Sequence, residues 1–306
     1  MRLVVHGQQA FGKAVLERLL EREENIVAVC TAPDKEGKPM DPVKELALEK
    51  GLAVHQPASW KTPEALELMQ SFEADVCIMA YVLLFIPQPV LDAPRLGSFQ
   101  YHPSMLPMHR GPSSINWPIA MGATRTGLSI FWPNQGLDEG PILIQKECDI
   151  GPDETLGDIY FNKLSPMGVD AMIEALDLVK AGTAPRQVQN LDEGSYESWF
   201  GKVQAEIDWQ KSAAEIYNTV RAANPQPGAW TTVNGATLQI FDSRLVDNVG
   251  GEAGVVAASS DEGILVSAGD NAGVLISRVR PAGGAKISAV EYAAASEIKV
   301  GDHLGS

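Results

Sequence analysis

Two short stretches of this 306-residue chain bring together residue types that can move a proton. In Tyr101-His102-Pro103-Ser104-Met105-Leu106-Pro107 a histidine sits in a proline-punctuated turn just after an apolar run. In Gly136-Leu137-Asp138-Glu139-Gly140-Pro141-Ile142-Leu143 an aspartate sits in a glycine-flanked loop. An imidazole accepts or gives a proton near neutral pH, and a carboxylate beside it can orient it or hold it charged. Taken singly, each residue has an ordinary reading. His102 could be a core histidine satisfied by backbone groups, although an X-His-Pro turn forces the chain extended and toward the surface. Asp138 could be a turn aspartate, a common role beside glycine. The pair together argues for acid–base chemistry. Ser104 has no G-x-S-x-G elbow around it and reads first as a turn-stabilising hydroxyl.

Other candidate chemistry is weaker. Gly7-Gln8-Gln9-Ala10-Phe11-Gly12-Lys13 follows a strand and opens a helix, close to a phosphate-cradling G-x-x-x-x-G-K-[ST] loop. Ala14 stands where the magnesium-binding hydroxyl is needed, and Gln9 breaks the dinucleotide pattern, so a tight strand-to-helix turn is the plainer reading. In a functional reading, the open helix end would face an acceptor substrate. His6, His55, His109 and His303 are scattered without metal-ligand spacing, so no metal is expected. The run Met79-Ala80-Tyr81-Val82-Leu83-Leu84-Phe85-Ile86-Pro87 is a buried strand with its exit or, more sharply, an apolar wall for a flat aromatic ligand.

The elements that must position these residues follow from periodicity. Apolar runs at Arg2–His6, Asn25–Cys30, Ala53–Val54 and Asp75–Ala80 alternate with helical patterns at Ala10–Arg22, Pro42–Lys50 and Thr62–Phe72. Such β-α-β order with apolar strands predicts a parallel sheet covered on both faces, whose ligands bind beyond the carboxyl ends of its strands. Strand Ser98–Tyr101 delivers His102 to that edge. Leu128–Trp132 and Ile142–Cys148 enter and leave the Asp138 loop, and Thr155–Ala181 is one or two helices. Residues 182–206 are polar and read as a linker, followed by a helix at Ser212–Ala222. Short alternating runs at Ala229–Val233, Thr237–Phe241, Gly254–Ala257, Gly263–Ser267 and Val274–Val279 predict a small β-barrel. The expected domains are residues 1–203, Rossmann-like α/β, and residues 204–306, an OB-like β-barrel.

Composition narrows the function classes. With 24 Lys and Arg against 39 Asp and Glu the net charge is −15, and no basic run supplies the counterion release that nucleic-acid binding needs. Scattered residues such as Lys35, Lys38, Arg110 and Arg125 could still make a patch in three dimensions. Cys30, Cys77 and Cys148 are widely spaced and odd in number, which suits free thiols in a reducing cytosol. Met1-Arg2 leads straight into a strand, and no apolar run approaches the roughly 20 residues of a membrane span. A cytoplasmic protein without membrane contact is expected; the oligomeric state is left open.

The two stretches resemble the hallmarks of the folate-dependent formyltransferase family, N-x-H-[PA]-S-L-L-P-x-x-x-G followed by x-x-D-x-G-[PD]-I-L. Here the first reads Gln100-Tyr101-His102-Pro103-Ser104-Met105-Leu106-Pro107-Met108-His109-Arg110-Gly111 and the second Leu137-Asp138-Glu139-Gly140-Pro141-Ile142-Leu143. Pro33-Asp34-Lys35-Glu36-Gly37-Lys38, Phe85-Ile86-Pro87, Ile115-Asn116-Trp117, Ser129-Ile130-Phe131-Trp132 and Gln145-Lys146-Glu147-Cys148 point to the branch formed by the amino-terminal hydrolase domains of 10-formyltetrahydrofolate dehydrogenases. Ile207-Asp208-Trp209 and Pro227-Gly228-Ala229-Trp230 continue the likeness into the second domain. One departure is Gln100, where the family usually has a catalytic asparagine; this branch also lacks it.

The resemblance implies a 10-formyltetrahydrofolate substrate and no further cofactor. It implies catalytic roles for His102, Asp138 and Gln100. Met79, Tyr81, Leu84, Phe85, Ile86, Pro133, Asn134, Gln135, Gly136, Leu137, Ser104 and Arg110 would bind the substrate. A small acceptor or water would enter near Gln8, Gln9 and the Pro33–Lys38 loop. The chain ends without carrier or aldehyde-dehydrogenase domains, so oxidation of the formyl group to carbon dioxide is not expected. Hydrolase or small-molecule formyltransferase is the leading expectation. Methionyl-tRNA formyltransferase and a non-enzymatic folate-binding module are the alternatives.

Overall fold

The computed structural model describes residues 1–305. In chain order the elements are β1 (Leu3–Gly7), α1 (Gln9–Glu21), β2 (Ile26–Cys30), α2 (Pro42–Glu49), β3 (Val54–His55), α3 (Pro63–Ser71), β4 (Val76–Ala80), α4 (Gln88–Leu91), β5 (Ser98–His102), α5 (Asn116–Ala120), β6 (Arg125–Phe131), β7 (Ile142–Asp149), α6 (Leu156–Ile159) and α7 (Ser165–Ala181). There follow α8 (Ala213–Ala223), β8 (Ala229–Val233), β9 (Ala236–Val246), β10 (Val256–Ser260), β11 (Gly263–Ser267), β12 (Gly273–Pro281), β13 (Ile287–Ser288) and α9 (Ala289–Ala295). They fall into two compact units. The first comprises Met1–Gly111, Gly127–Cys148 and Lys163–Tyr196; the second comprises Pro112–Thr126, Asp149–Asn162 and the chain from Glu197 onward.

The first unit is built on a seven-stranded sheet of order β3-β2-β1-β4-β5-β6-β7. Strands β1 and β4 are apolar at nearly every position and buried along their whole length, as a sheet covered on both faces requires. Helix starts are set by local chemistry. Asp41 accepts from the Val43 amide at the head of α2, and Thr62 accepts from the Ala65 amide at the head of α3. Proline occupies the first turn of both, where its missing N–H is no loss. Strands β3, β2, β1, β4 and β5 pair in parallel, but β5 and β6 pair antiparallel. A parallel crossover needs a helix laid over the sheet. The one helix between these two strands, α5, clusters with the second unit instead.

The second unit carries an antiparallel sheet of order β10-β11-β12-β9-β8, with β13 added beside β12. Helix α8 starts with a capping box between Ser212 and Glu215 and buries Ile216, Tyr217 and Val220. The Tyr217 hydroxyl donates to Asp153 at 2.7 Å, and burial followed by that carboxylate pushes its pKa up to about 12. Strand β9 runs on to Val246, five residues past the expected end. The span 155–181, expected as one or two helices, holds α6, a π-helical turn at Tyr160–Leu164 and α7. Among the described residues no helix is long and apolar enough to cross a membrane.

Candidate active site

The chain order along the first sheet reverses between β1 and β4. β2 and β3 lie to one side, and β5 to β7 lie to the other. Crevices beyond the carboxyl ends of strands form at such reversals. Gly7 and Gly12 allow the close approach there: a Cβ on Gly7 would lie 2.7 Å from the Ala80 carbonyl oxygen, and one on Gly12 2.8 Å from Val43 Cγ2. The glycines of the loop that approached a phosphate-binding pattern are therefore explained by packing. Lys13 pairs with Glu17 on its own helix at 3.7 Å, and the Gln9 amide at the start of α1 donates to Asp41 at 3.0 Å. A carboxylate thus already faces the helix end that was expected to meet an acceptor.

His102 closes β5 at this edge. Alternation along the strand puts Gln100 and His102 on one face, while Tyr101 stacks on Phe11 of α1 at 4.2 Å on the other. His102 is 6 % exposed and Asp138 9 %. The His102 Nε2–H donates to the His109 carbonyl at 3.0 Å, which leaves Nδ1 facing Asp138, 3.6 Å from Oδ2. Oδ2 also accepts from the Gly111 amide at 2.9 Å. Oδ1 has no hydrogen-bond partner among the described residues. The sequence pattern thus brings together two groups 36 positions apart, one imidazole nitrogen and one carboxylate oxygen left for a reactant.

Both loops are anchored from outside. Ser104 is fully buried and its hydroxyl donates to the Met108 carbonyl at 2.6 Å, so it stabilises the turn and presents no surface to a ligand. Ser129 of β6 donates to the Ser104 carbonyl and accepts from the Leu106 amide, and Gln145 of β7 donates to the Leu106 carbonyl at 2.8 Å. Strand β6 ends opposite Gln100, and the 132–141 loop returns to bring Asp138 beside His102. Its base is closed by the Trp132 amide donating to Pro141 at 2.9 Å. Asp138 itself sits at φ +56°, a left-handed conformation that needs support. The support is Gln189, whose amide nitrogen donates to the carbonyls of Asp138 and Gly140 at 2.9 and 2.6 Å.

Gln189 lies in the stretch expected to be a linker. Residues 187–195 instead line these loops. Gln187 pairs with Ile142, and Ser195 accepts from the His109 amide at 2.9 Å through its hydroxyl. Neither Gln189 nor Ser195 was anticipated. Each acts on main-chain groups, which leave no side-chain spacing to read.

The remaining candidates separate. Met79 and Ile86 belong to the core with Val90 and Leu91. Tyr81, Leu83, Leu84 and Phe85 are exposed where the chain leaves β4, with Tyr81 at φ +65°. Asn134, Gln135 and Leu137 are exposed on the loop before Asp138, with Pro133 and Gly136 half-buried. Arg110 forms an ion pair with Glu139 at 2.7 Å and donates to the Ser195 carbonyl, so its charge is answered within the loop pair. Gln100 is half-buried between Met79 and Phe131 in register, and its amide is tied to no partner among the described residues. Cys30 and Cys77 are free and buried. No group of three or more His, Cys, Asp or Glu side chains among the described residues could hold a metal ion.

The switch-point sheet with a buried His–Asp pair at its edge defines the class of the chain, and comparison with known proteins gives the family. Residues 1–176 match the formyl transferase family, and residues 201–297 match the formyl transferase C-terminal domain. The chain belongs to the formyl transferase family. It is 35% identical over 313 aligned residues to the mitochondrial 10-formyltetrahydrofolate dehydrogenase of Mus musculus, covering 98% of this chain and 34% of that protein. It therefore spans about a third of the length of that relative. It is 33% identical to the methionyl-tRNA formyltransferase of Trichlorobacter lovleyi, covering 99% of this chain and 96% of that one. HypX from Aquifex aeolicus in complex with tetrahydrofolic acid shares the fold, with a TM-score of 0.67, 20% identity and coverage of 96% of this chain and 47% of that one. WlaRD, a sugar 3N-formyl transferase, does so with a TM-score of 0.70, 18% identity and coverage of 90% and 97%.

Proposed function

We propose that this chain removes the formyl group of 10-formyltetrahydrofolate and passes it to water or a small amine. The observation that carries this reading is the buried pair of His102 Nδ1 and Asp138 Oδ2, 3.6 Å apart at the carboxyl edge of the sheet. A formyl amide resists attack because its carbonyl is weakly electrophilic. A nucleophile must lose a proton, and the oxyanion that forms must be stabilised. Asp138 Oδ1 takes the proton from water as its oxygen bonds to the formyl carbon. With a proton on each ring nitrogen, His102 keeps its Nε2–H on the His109 carbonyl and donates Nδ1–H to the oxyanion, with the Gln100 amide as a second donor. Collapse of the tetrahedral adduct breaks the bond from carbon to folate N10, which takes up the proton; formate and tetrahydrofolate leave. With an amine in place of water, the same steps give a formamide.

Two supports stand beside the geometry. Dehydrogenases named for 10-formyltetrahydrofolate are among the relatives, and a structural neighbour holds tetrahydrofolic acid. The exposed Tyr81–Phe85 run offers an apolar surface for a flat ring at the same edge. The test is product analysis. Formate should accumulate from 10-formyltetrahydrofolate alone, or a formamide when candidate amines are added. Absence of turnover under both conditions would sink the proposal.

A second reading, methionyl-tRNA formyltransferase, is favoured by one observation: the match to that relative spans nearly the full length of both chains. The net charge of −15 weighs against it, since a phosphate backbone needs a basic face. Efficient formylation of initiator methionyl-tRNA at catalytic enzyme concentration would reverse the ranking.

A further inference from the structure

The second unit places like charges together without answering them. Strand β9 alternates Thr237, Gln239 and Phe241 on one face, and its neighbour β12 brings Arg280 into register with Gln239. Beside them the turn at 281–284 borders a cleft of about 400 Å³ lined by Thr237, Gln239 and Arg280. Lys286 lies with Nζ 3.5 Å from the centre of the Phe241 ring, and the Arg280 guanidinium stands 5.3 Å from the same ring. Burial, then Arg280 and Arg278, push the Lys286 ammonium below its ordinary range, while Asp242 opposes them. None of the three cations forms an ion pair among the described residues, whereas Arg244 on the same sheet pairs with Glu262 at 2.6 Å.

The guanidinium is also oriented. Gln239 donates its amide to the Pro227 carbonyl at 3.1 Å, which turns its Oε1 toward Arg280 Nε at 2.7 Å. Gly228 makes room for this, since a Cβ there would lie 2.6 Å from the Gln239 amide nitrogen. One edge of the guanidinium is thereby fixed, and its two Nη groups have no hydrogen-bond partner among the described residues. A planar fork held by one edge suits two oxygens of one anion. Arg280 and Lys286, two cations on one ring, bring two positive charges, matching the roughly −1.5 to −2 that a phosphate monoester carries at neutral pH.

We propose that the cleft between β9, β12 and the 281–284 turn is a binding site for a small molecule bearing a phosphate monoester. Arg280 grips the phosphate, Lys286 beside it on the Phe241 ring neutralises it, and Gln239 positions Arg280. The site is independent of the formyl-transfer chemistry.

The test is calorimetric titration of the intact chain with glycerol 2-phosphate at physiological salt, with glycerol and malonate as controls. Saturable binding of glycerol 2-phosphate is expected, weakened about tenfold or more in Arg280→Gln and in Lys286→Gln. Glycerol should not bind, and malonate should bind more weakly than the phosphate. Arg280→Gln changes a side chain that lines the cleft and Lys286→Gln an exposed one, and the unfolding temperature and formyl turnover of both should match the parent. No saturable binding, equal affinity in the variants, or malonate binding as well as the phosphate would each overturn the assignment. Capture of tRNA by this cluster without binding of glycerol 2-phosphate would overturn it in favour of a nucleic-acid surface.

Discussion

One side-chain amide, that of Gln189, holds Asp138 in its left-handed conformation from 51 positions away. It donates to the carbonyl of Asp138 at 2.9 Å and to that of Gly140 at 2.6 Å, while its own buried Oε1 has no partner among the described residues. The loop is therefore clamped across its apex by one donor group. Gln189→Leu removes that donor and leaves two carbonyls unanswered, at about 1–3 kcal/mol of stability. If Asp138 acts on the reactant, kcat should fall roughly tenfold or more, because small misplacements of a reacting group are costly. KM for the folate should change little, and Gln189→Asn should recover part of the loss. A normal kcat in Gln189→Leu would show that Asp138 needs no such clamp.

The His102–Asp138 pair makes a sharper prediction. Asp138→Asn keeps an oxygen to accept from Gly111 but removes the charge beside His102. Turnover should drop by about 10²–10⁴-fold in Asp138→Asn and in His102→Ala, the usual contribution of a positioned proton-transfer group. Folate affinity, measured by fluorescence titration, should stay within a few-fold of the parent. Near-normal turnover in either variant would remove that residue from the mechanism.

The sequence carried the halves of this site that have their own punctuation. Pro103 and Pro107 mark the turn that holds His102, and Gly136 and Gly140 mark the loop that holds Asp138. The continuous apolar runs of β1 and β4 revealed a sheet covered on both faces. The direction of β6 was not legible, since alternation has the same period whichever way a strand runs. Helix α9 had a readable start in Ser288 and Glu291, a capping box that the strand-rich surroundings obscured. Gln189 and Ser195 were illegible for a different reason. They bind carbonyl and amide groups that every residue carries, so nothing in their type or spacing tied them to the site.

Gln100 tests the oxyanion assignment. Its side chain shares a face with His102, and its amide is uncommitted among the described residues. If that amide steadies the oxyanion, Gln100→Ala should slow turnover by up to about 10²-fold at unchanged unfolding temperature. Gln100→Leu keeps the volume and should be as slow. A Gln100→Leu chain with parental rate would assign the residue to packing alone. Gln100→Asn tests reach, since the shorter amide withdraws by one methylene; a faster chain would mean that the longer side chain hinders this reaction.

His6 links the sheet to pH. It lies in β1, 3 % exposed, with its ring 4.9 Å from that of Trp60, and burial lowers its pKa from 6.5 to about 4. The folded chain therefore refuses a proton that the unfolded chain accepts between those two values. Above the unfolded value both states hold a neutral ring and the burial is harmless. As pH falls through the window the unfolded state gains protons first, so stability declines, by about 1.4 kcal/mol for each unit of the shift. The full effect is on the order of 3 kcal/mol by the bottom of the window. Carboxylates also titrate in this range, so the measurement is a comparison. Denaturant unfolding of the parent and of His6→Phe, which keeps an aromatic ring against Trp60, should be followed from pH 7.5 to 4.5. The parent should lose stability more steeply, and the gap between the two curves should open below about pH 6.5. Parallel curves would mean that His6 reaches a proton in the folded state and that its burial is not what the pH senses.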